Sequence, residues 1–213
     1  MVLTSYLDYS LIRAMRDDRD RDDESWRVFI AIELPASVRK KLKEHIEHLR
    51  ESVPDARASW SREENLHLTL KFLGDTPVSR IEALLQAAKR AASNAVPFEL
   101  IVSGAGAFPP RGQPRVLWIG IEDLSGQLGK LQQALENECG KQGFARETRP
   151  FHPHLTIARL RRPQGSRQLA ALHEEMGFDA ETVRASALAV VRSELRSEGS
   201  RHMVISRHEF EPP

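Results

Sequence analysis

Apolar residues follow two different spacings along this chain, and each spacing predicts one kind of element. Alternation in short runs predicts half-buried β-strands, while apolar residues every three or four positions predict amphipathic helices. The two kinds intermix without a strict β-α-β order, which favours an α+β fold over a parallel α/β sheet. Strands are predicted at WRVFIAIEL, around Ala58 and Trp60, at two HLT segments described below, and at FELIVSGAGAF, RVLWIGIE, SALAVVRSEL and RHMVISRHEF. Helices are predicted at PASVRKKLKEHIEHLRESV, from Pro77 to near Asn94, over roughly residues 124–142, and at LAALHEEMGF.

One strand, within ENLHLTLKFLGD, carries polar residues at two alternate positions of an otherwise apolar run. Residues i and i+2 of a strand point to the same side. His67 and Thr69 are therefore predicted to share one face, while Leu68, Leu70 and Phe72 point into the core. The polar pair makes the first face a candidate site.

The same pattern returns in RPFHPHLTIARL, where His154 and Thr156 repeat the spacing. One such match is expected by chance in well under about one chain in a hundred, and a histidine in such a run usually packs in or beside the core. Two matches in one chain favour a shared function over coincidence. Each HLT strand has neighbouring strands and helices of its own, which predicts two similar lobes that face one another.

A cleft that holds two imidazoles and two hydroxyls has the groups for concerted acid–base catalysis. Because the ordinary pKa of histidine is about 6.5, one ring can be neutral while the other is protonated near neutrality. One imidazole then takes a proton from a nucleophile and the other gives a proton to a leaving group. The threonine hydroxyls can donate hydrogen bonds to an oxyanion between the rings. A phosphodiester substrate fits this arrangement, since its attacking and leaving oxygens lie on opposite sides of phosphorus.

Other histidines give weaker signals. His152 and His154 form a His-x-His pair that can be interpreted as two metal ligands on one strand face. Pro153 separates them and no acidic third ligand is evident nearby, so catalysis without a metal is preferred. His45 and His48 lie in a strongly charged predicted helix and are expected to be solvated.

Composition places limits on the class of protein. The chain has 213 residues, of which 40% are hydrophobic and 29% charged, with a formal net charge of +1. This balance does not support a protein held to nucleic acid by charge alone, and no apolar stretch approaches the roughly 20 residues that span a bilayer. The single cysteine, Cys139, falls near the end of a predicted helix, is expected to be buried, and fits a reducing cytoplasm. We expect a cytoplasmic monomer without a cofactor.

The first 25 residues differ from the remainder. They contain weakly apolar sequence interrupted by Asp8 and Arg13, then the densely charged DDRDRDDE, and they lack the features of a secretory signal. Residues 1–25 are therefore predicted to form a flexible extension, and residues 26–213 a single two-lobed domain.

The chain resembles the two-histidine phosphoesterases, and in particular the bacterial and archaeal RNA 2′,3′-cyclic phosphodiesterases, also called 2′-5′ RNA ligases. The resemblance covers about Trp26 to Phe210 and includes RVFIAIELP, ENLHLTLKFLGD, GAFPPRGQPRVLWIGI, RPFHPHLTIAR and VVRSEL. It implies a bilobal α+β fold whose two pseudo-symmetric sheets face a central cleft. It also implies hydrolysis of terminal RNA 2′,3′-cyclic phosphates to 2′-phosphates, with reversible 2′-5′ ligation as a chemically open reaction.

The resemblance also implies roles for individual residues. His67 would donate a proton to the departing 3′-oxygen, and His154 would accept one from water. Thr69 and Thr156 would hold the phosphate, and Arg159 at the end of HLTIAR would add positive charge. Strict alternation, however, places Arg159 on the face opposite Thr156, so Arg159 must reach round the strand end or the strand must bulge.

The sequence also leaves open which residues stack a base and which function the site serves. Phe151 and Phe108 are candidates to stack a terminal base, although core packing is the more frequent role of phenylalanine. A small cyclic nucleotide or an ADP-ribose cyclic phosphate is the alternative substrate. A non-catalytic module that binds RNA ends is the alternative from another class, but binding alone does not require two proton-transfer groups.

Overall fold

Two antiparallel sheets and four helices make up the part of the chain that the computed structural model describes, residues 24–197 and 199–211. Most of the predicted extension, residues 1–23, lies outside the described residues, and the first strand begins at Ser25. The strands are β1 (Ser25–Glu33), β2 (Ala58–Trp60), β3 (His67–Pro77), β4 (Phe98–Phe108), β5 (Val116–Glu122), β6 (His154–Leu160), β7 (Glu181–Ala185), β8 (Ala187–Arg196) and β9 (Gly199–Glu209).

The helices form where the apolar spacing predicts them. They are α1 (Ala36–Ser52), α2 (Ile81–Ala92), α3 (Gln127–Lys141) and α4 (Ser166–Met176), with single 3₁₀ turns at Glu63–Asn65 and Val78–Arg80. In α1 the buried residues Val38, Leu42, Ile46 and Leu49 form one stripe, as the 3.6-residue period requires. No helix in the described ranges is long and apolar enough to cross a membrane.

The two sheets draw strands from both ends of the chain. The first has the order β3-β1-β8-β9, so the C-terminal hairpin completes a sheet begun by β1. The second has the order β2-β6-β5-β4-β7, so β2, from the N-terminal half, pairs with β6 from the C-terminal half. Neither sheet can therefore be completed from one continuous half of the chain.

One large core packs the helices against one face of each sheet. It includes Ile30 and Leu68 from the first sheet and Leu117 and Leu155 from the second, all fully buried. A separate small cluster of Phe29, Ala31, Ala189 and Val191 lies on the other face of the first sheet. The predicted α+β fold is confirmed: the sheet faces that the helices do not cover border the central cleft, and β3 lies against β6 where the sheets meet.

The prediction that Phe72 points into the core is wrong. Its side chain is 63% exposed, whereas the neighbouring Lys71 is buried and its Nζ lies 2.8 and 2.9 Å from the two carboxylate oxygens of Glu136 on α3. Lys71 also donates a 2.8 Å hydrogen bond to the carbonyl of Ala145. The physical reason is a register shift between Ile30 and Ala31 in the pairing of β1 with β3.

The sequence analysis also failed to predict β7 and the burial of His45. The short edge strand β7 was not predicted, because its five residues carry too little alternation. The prediction for His45 is wrong as well: its ring is partly buried, and its Nε2 lies 2.9 Å from Nδ1 of His173. His48 is exposed, as predicted.

Candidate active site

The two HLT motifs occupy equivalent places in the two sheets. His67 is the first residue of β3 and His154 the first of β6, and both side chains are half-buried. The intervening Leu68 and Leu155 are fully buried in the main core. Alternation therefore places each histidine, with the threonine two residues later, on the face away from the helices. This part of the sequence prediction is confirmed.

Both motif strands bulge at the same position, the fourth residue of the motif. In β3, Thr69 pairs with Ala31 and Lys71 with Ile30, so that Leu70 is the extra residue. In β6, Thr156 pairs with Trp118 and Ala158 with Leu117, so that Ile157 is the extra residue. A bulge inserts one residue and reverses the alternation beyond it.

The reversal explains two residues that strict alternation misplaces. Phe72 pairs with Phe29, and their rings lie 5.9 Å apart on the His67 face of the sheet. Arg159 pairs with Val116, two residues from the Trp118 that faces Thr156. Arg159 is exposed and lies on the face of Thr156 and His154, so the strand bulges rather than the side chain reaching round. Phe72 and Arg159 therefore occupy equivalent positions in the two strands.

His67 lies in an aromatic environment. Its ring stacks on Phe29 with 4.5 Å between centroids and a 16° angle, and the edge of His202 lies against it at 5.2 Å. Burial, and secondarily the neighbouring His202 charge, lower the pKa of His67 from 6.5 to about 4, while a hydrogen bond with the Asn65 backbone opposes the shift. At neutral pH the imidazole of the free protein is accordingly neutral.

His202 is a third histidine of the site that the sequence analysis missed. It lies on β9, and its ring contacts both Phe29, at 5.0 Å, and His67. Its Nδ1 is buried and has no hydrogen-bond partner within the described ranges, and burial lowers the pKa of His202. No spacing in the sequence links His202 to the HLT motifs. Only the strand order, which sets β9 beside β8 and β8 beside β1, brings it to the site.

A backbone hydrogen bond orients His154. Its Nδ1 lies 2.7 Å from the carbonyl oxygen of His152. A carbonyl can only accept, so Nδ1 carries the hydrogen and the neutral ring presents a bare Nε2 as proton acceptor. The ring also meets Phe108 edge-on at 5.2 Å.

The wall beside Thr156 is built from two aromatic rings over a glycine. Trp118 lies 5.3 Å from Phe108, and its indole covers Gly106, where a Cβ would come within 2.3 Å of the ring. Only glycine leaves room for the indole at that position. Trp118 Nε1 is buried without a hydrogen-bond partner among the described residues. Phe151, by contrast, is half-buried and packs against the main core, and its role in base stacking stays a prediction.

Cys139 and His152, which the sequence analysis also considered, do not contribute side chains to the candidate site. Cys139 is fully buried on α3, as predicted, and burial raises the pKa of its thiol to about 11, so the thiolate nucleophile is unavailable at neutral pH. His152 is exposed, and its described contact with the site is the backbone carbonyl bonded to His154.

Comparisons with known proteins agree with this geometry. The sequence profile of the 2′-5′ RNA ligase superfamily matches residues 38–196. The chain is 32% identical to an RNA 2′,3′-cyclic phosphodiesterase of Methanothermobacter thermautotrophicus, over 81% of this chain and 92% of the relative. It is 33% identical to a protein of the same name from Thermotoga maritima, over 87% and 96%.

Solved structures give the same result. A Thermus thermophilus protein superposes with a TM-score of 0.73 at 26% identity, over 87% of this chain and 98% of that one. Escherichia coli LigT in complex with 3′-AMP superposes with a TM-score of 0.64 at 27% identity, over 88% and 99%. With its two equivalent HLT strands, the chain belongs to the 2′-5′ RNA ligase superfamily of two-histidine phosphoesterases.

Proposed function

We propose that this protein hydrolyses terminal RNA 2′,3′-cyclic phosphates to 2′-phosphates by acid–base catalysis between His67 and His154. The observation that carries the proposal is that the imidazoles of His67 and His154 lie at equivalent strand positions but have different neighbours. The Nδ1–H of His154 is bonded to a carbonyl, whereas the ring of His67 packs among aromatic rings. The names of relatives at 32% and 33% identity support the same substrate.

His154 is assigned as the general base. Its Nδ1–H bond to the His152 carbonyl leaves Nε2 free to accept a proton from water as the water oxygen attacks phosphorus. The bond from phosphorus to the 3′-oxygen then breaks, and the phosphate remains on the 2′-oxygen. The carbonyl of His152 also stabilises the imidazolium that forms, because it accepts a hydrogen bond from the charged ring.

His67 is assigned as the general acid that protonates the departing 3′-oxygen. Its low pKa makes the protonated ring a strong acid, but the ring must first be charged. A bound phosphate anion favours the charged form and raises the pKa of a neighbouring imidazole. His67 is therefore expected to take up a proton as the substrate binds and to release it to the leaving oxygen.

Thr69 and Thr156 are assigned to the non-bridging phosphate oxygens. Each hydroxyl lies two residues beyond a catalytic histidine on the same sheet face, and each can donate one hydrogen bond. Arg159, which the bulge brings to this face, supplies positive charge to the phosphate. Phe108 and Trp118 form an aromatic wall next to His154, with Phe151 as the further stacking candidate.

The same groups serve 2′-5′ ligation if a 5′-hydroxyl of RNA takes the place of water. His154 would then deprotonate that hydroxyl, and His67 would protonate the same 3′-oxygen. We expect the enzyme to work in the cytoplasm as a monomer. Light scattering of the purified chain tests the monomeric state. Residues 26–213 are expected to carry the full activity.

The decisive experiment is incubation of a short RNA that ends in 2′,3′-cyclic phosphate, with EDTA present. We expect a 2′-phosphate product, identified by mass and by its phosphorus NMR signal, with the His154→Gln protein as the control. A 3′-phosphate product would contradict the assigned leaving oxygen. Loss of turnover in EDTA, restored by one added metal, would contradict catalysis by the histidines alone.

A further inference from the structure

A second concave surface lies outside the site described above, at the free edge of β2. It is a hollow of about 540 Å³ between the C-terminal end of α1, the 53–57 loop and the end of β6. Its polar lining consists of four arginines, and Trp60 forms part of its apolar lining. The arginines are Arg50, Arg57, Arg161 and Arg162. We call this surface the arginine hollow.

The charges of the arginine hollow are not neutralised by ion pairs with the residues that the structure describes. None of its four guanidinium groups forms an ion pair with a carboxylate within residues 24–197 and 199–211. Arg161 donates a 2.7 Å hydrogen bond from Nε to the hydroxyl of Ser59, which positions its guanidinium beside β2. Asp55, in the loop itself, is exposed and forms no ion pair with the four arginines. Four unpaired positive charges around one concavity favour an anionic ligand.

The types of side chain favour a nucleic acid as the anionic ligand. Guanidinium groups bind phosphate with two parallel hydrogen bonds, a geometry that lysine does not offer. Trp60 packs against the main core but lies in the same lining and is only partly buried, so its accessible part can take a stacked base. Aromatic rings that accept a stacked base beside a positive groove are the usual arrangement for single-stranded RNA.

The arginine hollow is connected to the candidate active site by β6. His154 begins this strand, Arg159 lies near its end on the cleft face, and Arg161 follows directly after it. At about 3.3 Å per residue, the seven steps from His154 to Arg161 cover roughly 23 Å. A mononucleotide held at His154 is too short to reach Arg161, whereas an RNA of several nucleotides can do so.

We propose that the arginine hollow binds the RNA segment that lies 5′ to the cyclic phosphate, with the arginines on its phosphates and Trp60 against one base. The proposal rests on the function proposed above and extends it, because it makes the enzyme selective for RNA chains over free cyclic nucleotides. The terminal phosphate is held at the histidines, and Arg159 lies between the two regions.

The test compares a ten-nucleotide RNA ending in 2′,3′-cyclic phosphate with adenosine 2′,3′-cyclic phosphate. The triple variant Arg57→Gln, Arg161→Gln, Arg162→Gln should raise KM for the RNA by more than about tenfold, with kcat unchanged. Each lost phosphate contact should also reduce the slope of log affinity against log salt by about 0.7. Kinetics with the mononucleotide should not change.

Two further variants complete the design. The control variant Lys89→Gln, Lys130→Gln, Arg184→Gln removes the same charge from exposed positions on α2, α3 and β7, and it should leave both substrates unaffected. The Trp60→Leu variant keeps an apolar side chain but removes the ring. It should weaken RNA binding by about fivefold or more, since loss of a stacked base typically costs that much.

Binding is measured separately from turnover, by fluorescence anisotropy of a 5′-labelled RNA that ends in a 3′-phosphate. Arginine-dependent binding without turnover of the cyclic RNA would leave this proposal standing and defeat the proposed function. Equal KM and salt slope in the triple variant and the wild type would overturn the proposal. So would an equal loss with the mononucleotide, or arginine-dependent binding of an acidic peptide in place of RNA.

Discussion

The low pKa of His67 leads to a quantitative prediction about stability in acid. In the unfolded chain the imidazole binds a proton near pH 6.5, but in the folded protein it does so only near pH 4. Between these values the unfolded state binds more protons, so the free energy of unfolding falls as the pH falls through this window. The full loss is about 3.4 kcal/mol, from 1.36 kcal/mol for each of the 2.5 pH units, and about 2 kcal/mol of it is reached by pH 5.

The variant His67→Phe isolates this contribution. Phenylalanine keeps an aromatic ring against Phe29 and removes the titrating group. Between pH 7.5 and 5 the variant should therefore lose about 2 kcal/mol less unfolding free energy than the wild type. Urea unfolding at both pH values measures the difference. With a slope of about 2 kcal/mol per molar urea, the change in midpoint should differ by about 1 M.

Two controls make the measurement specific to His67. His48 is exposed on α1, so His48→Asn should retain the pH dependence of the wild type. His202→Phe removes the second cause of the lowered His67 pKa together with the lowered pKa of His202 itself, so it should weaken the pH dependence while the contribution from burial of His67 remains. An equal loss of stability in His67→Phe and the wild type would refute the reasoning, because it would mean that the imidazole is solvated in the folded state.

Three further predictions concern the reacting pair, the buried ion pair and the glycine under the tryptophan wall. The first uses a nitrophenyl ester of a nucleotide, because its leaving group departs without a proton. With this substrate His67→Ala should recover most of the wild-type activity, whereas His154→Ala should stay at least about a hundredfold slower than the wild type. Rescue of His154→Ala instead would reverse the assigned roles. Lys71→Ala should lower the free energy of unfolding by about 3–5 kcal/mol, because it leaves Glu136 buried and unpaired. The double variant Lys71→Met, Glu136→Leu should restore most of that stability. Equal stability of the single and the double variant in calorimetry would contradict this. Gly106→Ala should raise KM for RNA by displacing the indole, with an accompanying change in tryptophan fluorescence, and an unchanged spectrum and KM would show that the wall can adjust.

Alternation along the strands was sufficient to predict the faces of the two motifs. His67 with Thr69, and His154 with Thr156, share the face away from the core because the side-chain period of a strand is two. The helical stripes were predicted for the same reason. These features depend on residues close together in sequence, so the sequence carries them directly.

Alternation failed beyond the fourth residue of each motif. The bulges at Leu70 and Ile157 arise in the pairing with β1 and β5, and nothing within the motif strands marks them. Phe72 was consequently assigned to the core, and Lys71 was not recognised as a buried ion-pair partner. Arg159 raised the possibility of a bulge only because the family resemblance required it at the site.

His202 could not be predicted because its position depends on sheet order alone. It reaches His67 through a C-terminal hairpin that pairs with β1, more than 100 residues away in sequence from β3. No motif accompanies it, and one histidine in a terminal strand is an ordinary feature. The arginine hollow is similar, since it joins the end of α1 to the end of β6 through the crossing of β2 into the second sheet.

The two motif strands share one backbone design, but their histidines have different neighbours. Both motif strands begin with histidine, bulge at the fourth residue and return the sixth residue to the cleft. The sixth residue is Phe72 in the lobe of His67 and Arg159 in the lobe of His154. On the first side, burial among aromatic rings and the neighbouring His202 destabilise the charged imidazole and lower the pKa of His67. On the second side, the backbone carbonyl of His152 accepts the Nδ1–H of His154, and Arg159 lies on the same sheet face. The proposed division into acid and base therefore depends on the neighbours of each motif, because the motifs themselves are nearly identical.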